Sequence, residues 1–197
     1  MTNEFPLHLY FYNNISFRIA CMTTILLVPG LGNSGPQHWQ TLWEQRHHYP
    51  RVQQANWHQP AGPEWVQTLA DTIAEAPGPV VLVAHSLGCA TVVKWAQAFP
   101  TGAVAGALLV APADTDRPDF PPEVTGFAPM PLRALPFPSI VVASTNDQYV
   151  TLPRATTFAA AWGSQLVNVG PQGHLNADSD LGAWPAGQEL LAQLLPA

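Results

Sequence analysis

One stretch of the sequence, Val80-Val-Leu-Val-Ala-His-Ser-Leu-Gly88, constrains the fold most strongly. It opens with an apolar run without alternation, which predicts a strand that is buried on both faces of a sheet. Residues 89–98 then show the apolar spacing of a helix. A strand, a sharp turn at Ser86 and a helix are therefore expected to follow one another directly.

A serine at such a turn is suited to nucleophilic chemistry. Its hydroxyl is a weak nucleophile unless it is exposed on a strained turn, beside a base and near backbone N–H groups that can bind an oxyanion. The usual pattern is G-x-S-x-G; here Ala84 replaces the first glycine and Gly88 keeps the second. A methyl group at position 84 fits where the neighbouring strands leave room. The alternative is that Ser86 only caps the helix.

Apolar runs alternate with helical patterns along the rest of the chain. The runs predict six strands, at residues 24–28, 51–55, 80–84, 106–110, 139–143 and 165–168. Helical spacing predicts helices at about residues 37–46, 64–75, 87–99, 154–162 and 186–195. This alternation is typical of the α/β class, so we predict a six-stranded, mainly parallel sheet with helices on both faces.

The composition excludes several classes of protein. With 47% hydrophobic residues the chain is too apolar to be disordered. A net charge of −6 and the lack of a basic run argue against nucleic acid or an anionic membrane as a partner. No apolar run approaches the roughly 18 residues of a transmembrane helix. Two cysteines, Cys21 and Cys89, provide neither a disulfide framework nor a metal-ligand spacing, so we expect a cytoplasmic location.

The first 22 residues differ from the rest of the chain. They carry an acidic residue in place of a basic n-region, and Asn13 and Asn14 interrupt the apolar stretch, so a signal peptide is not expected. Met22 stands directly before the first predicted strand. We interpret residues 1–22 as an N-terminal extension from a misplaced start codon and residues 23–197 as one domain. The alternative is an aromatic arm that packs on the domain or on a partner chain.

Residues 112–138 are rich in proline and show no clear periodicity. Proline removes backbone donors and fixes φ, so this segment is expected to be an irregular loop and not a helical lid. It follows the strand beside the nucleophile strand, which makes it a candidate for substrate contacts. The alternative is a surface connection without a function.

A nucleophilic serine needs a base, and the base needs an orienting group. Asp147 follows a predicted strand, and His174, the only histidine after Ser86, lies in a glycine-rich loop after the last strand. The order Ser, Asp, His is that of α/β-hydrolases, so we predict that these three residues form a catalytic triad. Competing acids lie on the proline-rich loop and after the histidine: Asp114, Asp116, Asp119, Asp178 and Asp180.

The tetrahedral intermediate of acyl transfer needs two N–H donors. One is assigned to the amide of Leu87, which opens the helix after the turn. The other is expected from the loop Pro29-Gly-Leu-Gly-Asn-Ser-Gly-Pro36, at Leu31. This loop also matches G-x-G-x-x-G, a dinucleotide-binding pattern, but residues 50–60 contain no Asp or Glu to bind a ribose. The dinucleotide interpretation is therefore disfavoured.

The other histidines have weaker assignments. We interpret His85 as a supporting, hydrogen-bonded side chain, because neighbours in a tight turn face different ways. His47, His48 and His58 lack metal-ligand spacing with an acidic or cysteine partner, so no metal site is expected.

Several motifs in register resemble one known family: Pro29-Gly-Leu-Gly, Gly35-Pro-Gln-His-Trp39, Ala84-His-Ser-Leu-Gly88, Asn146-Asp147 and Gly173-His174. From about Thr24 onward the chain resembles the small serine hydrolases of the YdeN type and the retinoblastoma-binding protein nine group. The resemblance implies a compact α/β-hydrolase without a cofactor. It also places His38 and Trp39 beside the oxyanion loop, as candidate substrate-binding residues, but it supplies no substrate.

The sequence therefore predicts a serine hydrolase, a carboxylesterase, that cleaves a small carboxylic ester or related acyl compound through an acyl-enzyme on Ser86. The expected partner is this small-molecule acyl substrate, with no nucleic acid and no membrane, and the sequence does not specify the oligomeric state. Two alternatives are a non-catalytic scaffold on a hydrolase fold and an acyltransferase that uses an acceptor other than water.

Overall fold

The computed structural model describes residues 23–196. Its centre is one sheet of five strands: β1 (Thr24–Val28), β2 (Val80–His85), β3 (Val104–Val110), β4 (Ser139–Ala143) and β5 (Gln165–Asn168). All neighbouring strands are parallel, in the order β1-β2-β3-β4-β5. The predicted N-terminal extension, residues 1–22, lies outside the described residues.

The predicted strand at residues 51–55 is wrong. Only Arg51 pairs with the sheet, as a single parallel bridge to Leu27, and Val52 donates a backbone hydrogen bond back to the Leu27 carbonyl. Val52 is the one β-branched residue of the segment, and the residues after it are Gln53, Gln54 and Ala55. Such a segment has too little apolar surface to extend a ladder beyond the first contact. The sheet therefore has five strands and not six.

All five predicted helices are confirmed, with ends that shift by a few residues. They are α1 (Trp39–His47), α2 (Gly62–Glu75), α3 (Leu87–Ala98), α4 (Leu152–Trp162) and α5 (Pro185–Ala192). A short 3-10 turn at Ala177–Ser179 was not predicted. It follows the loop that carries His174.

Helices cover both faces of the sheet, as predicted. Buried side chains of α2, α3 and α4 pack on one face, and those of α1 and α5 pack on the other. After β1 the chain runs through α1 to the outer edge of the sheet, at Arg51, and returns through α2 to β2. The carboxyl ends of β1 and β2 thus flank the point where the winding changes direction, which is where open α/β sheets bind ligands.

The proline-rich segment 112–138 contains neither helix nor regular strand, as predicted. It is fixed at one end by Arg154 of α4, whose guanidinium contacts Asp114 and Asp116. None of the helices in residues 23–196 is both long enough and apolar enough to cross a membrane.

Candidate active site

Ser86 lies on the sharp turn between β2 and α3. Its φ of 54° and ψ of −121° are strained for a residue with a side chain. The Ser86 amide donates to the Val110 carbonyl (3.0 Å), and the Ser86 carbonyl accepts from the Cys89 amide (3.0 Å). These contacts stabilise a backbone conformation that presents the hydroxyl at the carboxyl edge of the sheet. The side chain makes no capping bond to α3, so a cap is not its role.

Gly88 is required by the packing of the turn. A Cβ added there would lie 2.2 Å from the Val28 carbonyl oxygen, because the start of α3 lies directly against the end of β1. Ala84, which replaces the other glycine of the pattern, is fully buried and pairs with Val28 without distorting the ladder. The departure from G-x-S-x-G is therefore accommodated, as expected.

The structure brings the three predicted triad residues together. His174 Nε2 is 2.8 Å from Ser86 Oγ, and His174 Nδ1 is 2.9 and 2.8 Å from the two carboxylate oxygens of Asp147. The Asp147 side chain is fully buried and that of His174 is 7% exposed. A neutral His174 with its proton on Nδ1 satisfies both sets of contacts: it donates to Asp147 and accepts from the serine hydroxyl. This is the geometry that a base-activated serine needs.

The competing acids of the proline-rich loop have other partners, and neither Asp178 nor Asp180 is hydrogen-bonded to His174 in the described part of the chain. Asp114 and Asp116 contact Arg154, and Asp119 pairs with Arg117. Asp147 is thus the carboxylate that orients His174 in the structure.

Polar residues on two sides fix the backbone around His174. Asn146 Oδ1 accepts from the Gly173 amide (2.7 Å), and Ser144 Oγ accepts from the Gln172 amide (2.9 Å). From the other side, His85 Nε2 donates to the His174 carbonyl (2.9 Å). His85 is therefore the hydrogen-bonded supporting residue that we expected, although its ring also lines the cavity described below.

The glycine-rich loop after β1 lies directly against the turn. A Cβ added at Gly30 would be 2.9 Å from Ser86 Cβ and 3.2 Å from the Leu87 amide nitrogen. Within residues 23–196, neither the Leu31 amide nor the Leu87 amide has a hydrogen-bond acceptor. Both amides are free for a ligand, and their role as oxyanion donors stays a prediction.

A cavity of about 260 Å³ opens beside Ser86. Leu31, Leu87 and His38 line it, and the proline-rich segment contributes Ala113, Phe120 and Pro121. Residues of that segment therefore lie where we predicted substrate contacts, although the contacts themselves stay a prediction. The part of the cavity wall that surrounds Ser86 carries no lysine, arginine or carboxylate side chain among the described residues.

Trp39 does not belong to this cavity, and its assignment as a substrate-binding residue is wrong. Its indole is 1% exposed, packs on Trp43 and Trp184, and donates from Nε1 to the Leu175 carbonyl (2.8 Å). Trp39 thus joins α1 to the loop of His174. The sequence placed it correctly near the oxyanion loop, but the side of α1 that it occupies depends on where the helix begins.

His38 lies at the cavity, as predicted. It is the N-cap of α1, and its Nδ1 accepts from the Gln40 amide (3.1 Å). Burial, together with the charges of Arg51 and His174, lowers the pKa of His38 from 6.5 to about 3. Burial also holds the pKa of His85 well below its ordinary value. Both rings are therefore neutral in the folded protein near pH 7.

We expect these two buried histidines to make the folded state sensitive to acid. Below about pH 6.5 the unfolded chain binds protons that the folded chain does not, so stability falls as the pH falls. Between pH 7.5 and 5.5 His38 should remove about 1.4 kcal/mol from the free energy of unfolding, and His85 should add to the loss. Urea unfolding at the two pH values measures the loss. His38→Asn should reduce the loss by about 1.4 kcal/mol, whereas the exposed control His58→Asn should not; equal losses in all three proteins would contradict the prediction.

Sequence reasoning missed Tyr149 and Asn33 at this site. The Tyr149 ring centroid lies 4.4 Å from that of His174, and its amide donates to Asp147 Oδ1 (2.8 Å). Its position two residues after Asp147 was the available signal. Asn33 adopts a φ of 65° in the oxyanion loop, which its polar side chain tolerates. Among the residues described, no group of His, Cys, Asp or Glu side chains could hold a metal ion.

Comparisons with known proteins find similarity at the level of the family and of the fold. The family model described as serine hydrolase matches residues 25–193. A YdeN-like hydrolase from Pectobacterium atrosepticum is 34% identical, with a TM-score of 0.79 over 90% of this chain and 95% of that chain. The ydeN gene product of B. subtilis is 21% identical, with a TM-score of 0.74 over 88% and 98% of the two chains.

More distant structures share the fold alone. A thermophilic esterase from Thermogutta terrifontis is 16% identical, with a TM-score of 0.66 over 88% of this chain and 90% of that chain. No curated protein matches the sequence. The α/β-hydrolase fold and the resemblance to YdeN-type proteins are thereby confirmed. On the family match and the Pectobacterium relative together, the chain belongs to the serine hydrolase family, in its YdeN-type branch.

Proposed function

We propose that the protein is an esterase that cleaves a small, uncharged carboxylic ester through an acyl-enzyme on Ser86. The observation that carries the proposal is the continuous row of hydrogen bonds from Ser86 through His174 to Asp147. A serine hydroxyl on an ordinary surface turn has no such base and no such strained backbone.

In the first step His174 accepts the proton of the Ser86 hydroxyl while Oγ attacks the ester carbonyl carbon. The carbonyl oxygen becomes an oxyanion, which accepts from the amides of Leu31 and Leu87 in this proposal. The imidazolium then gives its proton to the leaving alcohol as the bond to the alcohol oxygen breaks. Asp147 stabilises that imidazolium and keeps the Nδ1 proton in place.

In the second step a water molecule takes the place of the alcohol. His174 accepts its proton, the water oxygen attacks the acyl carbon, and collapse of the intermediate returns the proton to Ser86 Oγ. The acid product leaves, and the site is restored without any added cofactor. An acyltransferase would use the same residues but would transfer the acyl group to an acceptor other than water. Water would then compete with that acceptor for the acyl-enzyme.

The lining of the cavity supports the proposal of an uncharged substrate. Among the described residues no Lys, Arg, Asp or Glu side chain lines it, and Leu31, Leu87, Phe120 and Pro121 give it apolar walls. A charged acyl group would lose its hydration there without gaining an ion pair.

We also place this chemistry in the cytoplasm, because Cys89 is a free, buried thiol and the sequence offers no disulfide framework.

The proposed activity is tested by a fluorophosphonate probe. An activated serine attacks phosphorus and displaces fluoride, so intact-mass spectrometry should show one covalent adduct, with peptide mapping at Ser86. Folded protein that stays unlabelled under conditions that label a known serine esterase would favour the scaffold alternative.

We expect short acyl chains to be preferred over long ones. A cavity of about 260 Å³ can enclose only a small acyl group, and each buried methylene contributes about 0.8 kcal/mol. Values of kcat/KM for p-nitrophenyl esters should therefore rise over the first few carbons and then level off or fall. A continuous rise from acetate beyond octanoate would contradict this prediction and indicate a longer groove.

A further inference from the structure

The ring of His38 presents a donor that nothing in the described structure uses. Because Nδ1 accepts from the Gln40 amide, the proton of the neutral imidazole must lie on Nε2. Nε2 is buried and has no hydrogen-bond partner among residues 23–196. His38 as a whole is 4% exposed, yet its ring lines the same cavity as Ser86. A buried donor without an acceptor costs free energy, so a native structure that keeps one needs a reason.

Asn33 supplies a second unused donor at the same cavity. Its Oδ1 accepts from the Ser34 amide (2.7 Å) and from Arg51 Nη1 (2.8 Å), which fixes the orientation of the amide group. Its NH₂ group therefore has no acceptor among the described residues. Asn33 lines the cavity together with His38. In both side chains the acceptor atom, His38 Nδ1 or Asn33 Oδ1, already accepts a hydrogen bond within the protein. The two side chains therefore offer only donors to a ligand in the cavity.

We propose that His38 Nε2 and the Asn33 amide form a donor subsite that binds a second oxygen of the ester substrate, distinct from the reacting carbonyl oxygen. The proposal rests on the proposed esterase function. The reacting oxygen already has the Leu31 and Leu87 amides as candidate donors. The substrate is thus an oxygenated ester, with an ether, hydroxyl or carbonyl oxygen in its acyl or alcohol part.

The charge around the subsite favours a neutral oxygen over a carboxylate. Arg51, the nearest cation to Asn33, is paired with Glu44 at 2.6 Å. A carboxylate bound at His38 and Asn33 would therefore find donors but no unpaired positive charge. A plain alkyl group would leave both donors unpaired on binding, and a site built to hydrogen-bond its ligand discriminates against an analogue that lacks the acceptor.

The test compares pairs of esters of equal size in which an oxygen replaces one methylene. The acyl pair is p-nitrophenyl methoxyacetate and p-nitrophenyl butanoate; the alcohol pair is methoxyethyl acetate and butyl acetate. Each kcat/KM is divided by the hydroxide-catalysed rate constant of the same ester, which removes the difference in chemical reactivity. For the wild-type protein we expect the oxygenated ester to be favoured about tenfold or more in one of the two pairs. The pair that shows this preference tells whether the second oxygen lies in the acyl part or in the alcohol part of the substrate.

Two substitutions at His38 separate the donor from the helix cap. Asparagine keeps an acceptor at the position of Nδ1, for the Gln40 amide, but carries no donor at the position of Nε2. Glutamine places its NH₂ group near Nε2. His38→Asn should therefore lower the preference severalfold, to what the Asn33 amide alone supplies, and His38→Gln should retain most of it, while His58→Asn, at an exposed histidine, leaves it unchanged.

The experiment distinguishes failure of the donor subsite from failure of the proposed esterase function. A preference near one in both pairs for the wild-type protein overturns the subsite, as does a His38→Asn variant that slows both esters of a pair equally. If the fluorophosphonate labels Ser86 but neither ester of a pair is turned over, the preference is measured by protection. The concentration of each ester that halves the rate of labelling is then compared within the pair. A wild-type protein that is neither labelled nor active overturns the esterase itself, and the subsite with it.

Discussion

Replacing Ser86 with alanine is expected to lower kcat for hydrolysis of p-nitrophenyl acetate by at least about 10⁴-fold. The substitution removes the atom that forms the acyl-enzyme, and His174 is then left without the hydroxyl that lies 2.8 Å from its Nε2. What activity survives should come from the amides of Leu31 and Leu87 and from binding alone. Stopped-flow and steady-state rates measure the loss, and the same variant should give no fluorophosphonate adduct.

The matched control is Ser164→Ala. Ser164 precedes β5, at the amino end of that strand, and within residues 23–196 the hydrogen-bond partner of its hydroxyl is Ser139, at 2.6 Å. It should keep wild-type kcat and labelling. The Ser86 variant should also melt no lower than the wild type, because the strained φ of 54° is set by the packing of the turn and not by the hydroxyl. Residual hydrolysis above about a hundredth of wild type would show that another group is the nucleophile.

Most of the site could be predicted because its parts are local in sequence. A strand, a turn and a helix around Ser86 specify one backbone geometry, and the carboxyl ends of parallel strands meet at a single edge. Asp147 and His174 each follow a strand, so the topology alone brings them close to Ser86. The residues that support them were harder to predict, since the contact of Asn146 with the Gly173 amide joins two loops whose relative height no sequence pattern specifies.

The two wrong predictions, the strand at residues 51–55 and the role of Trp39, also concern geometry that no sequence pattern specifies. Whether residues 51–55 extend the sheet depends on how far an edge ladder continues, and here it stops after one bridge at Arg51. The side of α1 on which Trp39 lies depends on where the helix begins. His38 is the N-cap, so the helix begins at Trp39. A shift of one residue on a helix rotates a side chain by about 100°, which is enough to exchange a cavity position for a core position. Only the structure decides such a choice.

Asp147→Asn is expected to lower kcat by about 10⁴-fold with little change in KM. Asp147 Oδ1 accepts from the Tyr149 amide (2.8 Å), so the carbonyl oxygen of an asparagine should take that position. Its NH₂ group would then face His174 Nδ1 as a donor, where the carboxylate now accepts. Nδ1 would have to give up its proton, and Nε2 would carry it. In that tautomer His174 cannot accept the proton of Ser86.

This prediction has a readout besides activity and a control at the competing acids. Nitrogen NMR of the imidazole should report the proton on Nδ1 in the wild type and on Nε2 in Asp147→Asn at a pH where the ring is neutral. Asp116→Asn weakens the contact with Arg154 but lies outside the hydrogen-bonded row, so it should keep most of its kcat even if its melting temperature drops. An Asp147→Asn enzyme with near wild-type kcat, beside an inactive Asp116→Asn, would transfer the orienting role to the proline-rich segment. The fully buried Asp147 carboxylate, with both oxygens within 2.9 Å of Nδ1, is the physical reason to expect the opposite.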